Sequence, residues 1–100
     1  MKTPPLNQTQ SVDTSTWSIS EPINFQSAAK ELKIGITNIT QGKHNIDLSA
    51  LTNPDSSTLA VLLAWLRHAK TRHVTLKLQG FSPKLQQLID LYDLQEVFKV

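Results

Sequence analysis

The chain has 100 residues, 39% of them hydrophobic, with 10 Lys and Arg against 8 Asp and Glu for a formal charge of +2. This allows one domain with one small core, and the longest apolar run, "LAVLLAWL", falls well short of the ~20 residues of a transmembrane helix. The absence of cysteine excludes disulfides, thiolate metal sites and cysteine nucleophiles, and a basic excess gathered only in "RHAKTRH" at 67 to 73 reads as the solvated end of a helix rather than a nucleic-acid interface.

The amino end, "MKTPPLNQTQSVD", is polar, holds consecutive prolines and has only Leu6 and Val12 as sizeable apolar side chains after the first residue. Residues 1–13 are expected to be a flexible polar tail without the apolar stretch of a secretory signal, and residues 14–100 the folded domain. "TSTWSIS" alternates, with Trp17 and Ile19 on one face, and predicts a half-buried strand. Asn24 is then a suitable cap for a helix over "FQSAAKELKIGITNI", in which Phe25, Ala28 or Ala29, Leu32, Ile36 and Ile39 recur near helical spacing; Gly35 weakens its last turn. "NIDLS" at 45 to 49 predicts a second strand through Ile46 and Leu48, and "ALTNPDS" supplies turn chemistry after it.

The next helix carries Leu59, Leu62, Leu63 and Leu66 at i, i+3, i+4 and i+7, a single core-facing stripe extended by Ala69. "HVTLKLQ" predicts a third strand through Val74, Leu76 and Leu78. Ser82 followed by Pro83 marks the start of a last helix with Leu85, Leu88, Ile89 and Tyr92, and "LQEVFKV" is placed to close over the core through Leu94, Val97 and Phe98. The order β, α, β, α, β, α predicts a single small α/β domain, a sheet covered by helices.

Two features exceed what that fold needs. Val61 and Trp65 lie well over about 90° from the centre of the leucine stripe, which predicts that they face outward, in line with Ser57 and with His68 a turn further on. Such a ridge suits a partner surface, since tryptophan is enriched among binding anchors, although an extra aromatic also serves a core by tucking under the carboxy-terminal segment. The "DSST" at its head is the second feature. Asp55 or Ser56 suits the helix cap, and a hydroxyl at a helix amino terminus is equally a favourable place for phosphate, so both roles stay open. Catalysis has little to draw on: His44, His68 and His73 have no metal-binding spacing, no glycine-rich phosphate loop is present, and Asp47 and Asp55 fit turn positions better than a catalytic pair.

"IDLSALTNPDSSTLAVLLAWLRHAK" resembles the central segment of a STAS domain, a short strand ending in Asp-Leu-Ser, a loop, then Asp-Ser-Ser leading into a leucine-rich helix. "LQGFSPKLQQLIDLYDLQEVF" resembles the end of its MlaB-type branch, the cytoplasmic STAS subunits of Mla phospholipid ABC transporters. The resemblance spans residues 14 to 98 in element order and is specific over 45 to 70 and 79 to 98. Thr58 stands where the family often has glycine. The resemblance implies a mixed sheet covered by helices, no catalytic machinery and no cofactor. It also implies docking on the ATPase subunit of a Mla-type transporter, in complex with its permease, through Asp55, Ser56, Ser57, Val61 and Trp65. Such a subunit would stabilise or activate the ATPase at the cytoplasmic side of a Gram-negative inner membrane, held there by its partner without inserting, in a system that maintains outer-membrane lipid asymmetry. The alternative is an anti-sigma factor antagonist, in which the hydroxyl directly after the aspartate, Ser56 here, is the phospho-acceptor.

Overall fold

The computed structural model describes residues 15–19 and 22–98; the expected tail over 1–13 lies outside them. Strand and helix alternate as β1 (Thr16–Ser18), α1 (Ala28–Thr40), β2 (Asn45–Asp47), α2 (Ser56–Thr71), β3 (Lys77–Gln79), α3 (Pro83–Leu91) and a short α4 (Gln95–Phe98). The three described strands lie in the order β1-β2-β3. Both described pairings are parallel, in the small α/β domain of sheet and helices that was expected. Parallel neighbours require a crossover, which α1 and α2 provide.

The register aligns Trp17, Ile46 and Leu78 across the sheet, and Ser18, Asp47 and Gln79 one step on. Because strand side chains alternate between faces, one face is apolar and the other polar. Trp17, Ile19, Ile46 and Leu48 are buried with Leu59, Leu62, Leu85, Ile89 and Phe98 in one core, against which Val74, Leu76 and Leu78 are partly covered. Phe98 closes the core as expected, while Val97 and Tyr92 are exposed.

Helix α1 starts later than its apolar spacing suggests. The Asn24 side chain accepts hydrogen bonds from the backbone N–H groups of Gln26 and Ser27, at 2.9 and 3.0 Å. This closes a turn ahead of the helix and takes Phe25 out of the helical pattern, leaving it 86% exposed. The start of α3 is as expected: the Ser82 hydroxyl accepts from the Leu85 N–H at 3.2 Å, with Pro83 in the first turn.

The orientation of α2 corrects the sequence reading. Val61 and Trp65, expected to face outward, are buried at 4% and 0% exposure, while Leu63 and Leu66 are only half-buried. The buried arc spans roughly 160° of the helix and is turned about 75° from the leucine stripe, toward Trp65. Its cause lies in another helix. Gly35 of α1 leaves room for the indole, and a Cβ added there would overlap Cε2 and Nε1 of Trp65. The indole N–H donates to the Leu32 carbonyl at 3.2 Å, and the ring meets Trp17 of β1 edge to face, with centroids 5.1 Å apart. A residue placed outward by its own helix is thus drawn inward by its neighbour.

Two substitutions test this packing. Gly35→Ala, which in an ordinary helix interior adds about 1 kcal/mol, should instead lower stability by about 1–3 kcal/mol because the added methyl displaces the indole. Trp65→Ala should lower it by about 3–5 kcal/mol. Urea unfolding followed by circular dichroism measures both, and a stabilised Gly35→Ala variant would contradict the packing described.

Candidate functional site

Beyond the carboxyl ends of the strands, the loops leading into α1, α2 and α3 gather at one edge, the place where open α/β sheets present ligand and partner sites. The turn after β2 is fixed by Asp47, whose carboxylate accepts from the Ser49 N–H at 3.0 Å. That bond, and then the Ser49 side chain, hold the Asp47 carboxyl below its usual range against a small opposing effect of burial. Gly80 packs against the same carboxylate at φ +78°, a left-handed conformation that glycine adopts without cost. On the far side of the loop, the Ser82 hydroxyl donates to the Leu51 carbonyl at 2.7 Å and Lys84 Nζ donates to Asn53 at 3.0 Å. Both ends of the segment from 47 to 55 are therefore tethered.

The "DSST" stretch divides its duties. Asp55 caps α2: Oδ1 accepts from the N–H groups of Ser57 and Thr58 at 2.8 and 3.2 Å. Thr58 returns the bond, its hydroxyl accepting from the Asp55 N–H at 3.1 Å and donating to the Ile23 carbonyl at 2.6 Å. Thr58 is fully buried, and its hydroxyl fastens the segment before α1 to the start of α2. Ser57 is half-buried. Ser56, the first residue of the helix, is exposed, and its hydroxyl has no hydrogen-bond partner among the described residues.

The structure therefore brings Asp55, Ser56 and Ser57 together at this edge and separates them from Val61 and Trp65, which lie in the core beneath. His68 is half-buried and 3.4 Å from the Thr40 hydroxyl, toward the other end of α2. One residue joins the edge that helical spacing had assigned elsewhere. Phe25, two residues from the Ile23 held by Thr58, stands exposed in the loop that leads into α1. The signal for it was local: Pro22 and Asn24 favour a turn over a helix start.

Asp47 and Asp55 both spend a carboxylate oxygen on backbone N–H groups. A hollow of about 70 Å³ lined by Ile23, Leu51 and Pro54 is too small for a cofactor, whose sites run to several hundred Å³. Among the described residues no three His, Asp or Glu side chains converge on a metal-sized space, and no helix is long and apolar enough to cross a membrane.

A depressed Asp47 pKa stabilises the turn above the carboxyl's unfolded value, and that stabilisation is lost as pH falls through the folded value. An NMR titration should place the Asp47 midpoint below the ordinary carboxylate range. Ser49→Ala should raise it only part of the way, since the backbone N–H remains; an unchanged midpoint would remove the side-chain contribution.

A protein-family model described as "Mlab, STAS domain" matches residues 18–99. No curated protein matches the chain.

Proposed function

Since the chain belongs to the MlaB-type STAS domain family, we propose that it is a non-catalytic subunit that binds the ATPase of an inner-membrane phospholipid ABC transporter and stabilises or activates it. In this reading the protein sits at the cytoplasmic face through its partner and serves the maintenance of outer-membrane lipid asymmetry. What supports the docking site is an exposed Phe25 in the loop before α1 and an exposed Ser56 at the start of α2, both at the carboxyl ends of the strands. A large aromatic left in water on an anchored turn is the kind of side chain that dominates binding energy when a partner covers it. Asp55 and Ser57 border it, and Val61 and Trp65 support the edge from the core. Activation of an ATPase by such a subunit requires that it bind the productive conformation more tightly than the others.

A second reading is favoured by one observation, the Ser56 hydroxyl. Asp55 and Thr58 already satisfy the helix start, so Ser56 has no structural duty and a phosphate there would meet the positive end of the α2 dipole. In an anti-sigma factor antagonist that phosphate would release the partner.

Affinity capture from native extract separates the two. With the full chain as bait, transporter ATPase and permease subunits should be retained, lost with Phe25→Ser, and kept with Ser56→Ala. Phe25→Ser should alter stability by no more than ~0.5 kcal/mol, as befits an exposed side chain. A serine kinase captured by the wild type and rejected by Ser56→Glu would establish the switch instead; retention of the ATPase by Phe25→Ser would move the docking site off this edge.

A further inference from the structure

The rotation of α2 that buries Trp65 leaves Leu63 and Leu66 as the apolar surplus of the helix, and they do not stand alone. With Val74, Leu76 and Leu78 they line an open groove of about 820 Å³ between the carboxy-terminal half of α2, the β3 segment and α4, with Phe98 at its end. This groove is distinct from the edge that holds Asp55 and Ser56, and no residue is common to the two.

Two properties of the groove indicate what it takes. The first is backbone. The Lys77 N–H donates to the His44 carbonyl at 2.8 Å, and the Gln79 carbonyl accepts from the Leu48 N–H at 2.7 Å. Residues 77 and 79 thus turn their polar groups toward β2, and by the alternation of a strand those of Leu76 and Leu78 point the other way. β3 is the last strand of the described sheet, so these N–H and C=O groups border the groove with no partner strand among the described residues. The second is charge. Arg67, Lys70 and Lys77 line the groove against Glu96 alone. All four are exposed, and none forms an ion pair among the described residues.

We propose that this groove is a second docking site, which receives an extended segment of a partner protein, rich in apolar and acidic residues, added as a strand to the outer edge of β3. Its main chain would pair with Leu76 and Leu78; the side chains on its α2-facing side would cover Leu63 and Leu66 and bring carboxylates to Arg67 and Lys70, while a carboxylate on its other side would meet Lys77. Strand addition supplies affinity through main-chain bonds and specificity through alternate side chains. An acyl chain would fill the apolar floor but leave the backbone groups of the edge unanswered.

The test uses the full chain against a phage-displayed library of random peptides, with selected sequences resynthesised and measured by fluorescence anisotropy. Enriched peptides should combine apolar with acidic residues, lose affinity as salt rises, and lose roughly tenfold or more when alternate backbone nitrogens are N-methylated or when the protein carries Lys70→Glu. Lys70 is exposed, so that variant keeps its fold; Leu66→Glu provides a second test, read only if its thermal unfolding remains cooperative. Absence of enrichment, peptides indifferent to N-methylation or to Lys70→Glu, or binding of a dansylated fatty acid in the groove without any peptide binding would each overturn the proposal. Phe25→Ser should leave peptide binding unchanged, so failure of the ATPase-docking reading and failure of this one are separately visible.

Discussion

The contact between Trp65 and the space above Gly35 fixes the relation of the two central helices. An indole can reach the backbone of α1 only where a residue without a side chain lets it, and once there its N–H bonds to the Leu32 carbonyl while its ring edge meets Trp17. Three elements that are far apart in sequence, β1, α1 and α2, are held by one side chain. The rotation this imposes on α2 then decides which leucines enter the core and which are left at its flank, and so determines where the apolar groove lies.

At the other end of α2, the separation of structural from available hydroxyls follows from hydrogen-bond supply. A helix start presents orphan N–H groups that must be answered. Asp55 answers those of Ser57 and Thr58, and Thr58 answers that of Asp55 while bonding Ile23. With these needs met, Ser56 is a hydroxyl on a rigid base with its bonding capacity uncommitted. A docking contact and a phosphoryl acceptor need the same thing, accessibility without a structural penalty, which is why one position serves either reading within the STAS family.

Much of this was legible in the sequence because it rests on local rules. The strand alternation around Trp17 and Ile46, the Ser82–Pro83 helix start and the α2 cap each depend on residues within a few positions of one another; the first two stand in the structure as read, and of the two cap candidates, Asp55 and Ser56, it is Asp55 that caps. What could not be read depends on neighbours distant in the chain. The inward placement of Val61 and Trp65 needs Gly35, some 30 residues earlier; taken alone, Gly35 signalled only a weak helical turn. Phe25 was misplaced for a more local reason, because its spacing fitted the helix while the Asn24 turn that excludes it was read as the helix cap itself. Asp55, Ser56 and Ser57 were singled out by motif, whereas the exposure of Phe25 came only from geometry.

The strand order has a consequence for how the molecule comes into being. Spatial order among the described strands follows chain order, β1 beside β2 beside β3, so among them no later strand has to insert between two earlier ones. A chain emerging from the ribosome at its amino end can complete the β1–α1–β2 unit, then lay α2 and β3 against an existing template, each addition extending what is already paired. Of the two outer strands of the described sheet, β3 is the last to arrive. Vectorial synthesis therefore puts the growing face of that sheet at the same place as the groove beside β3.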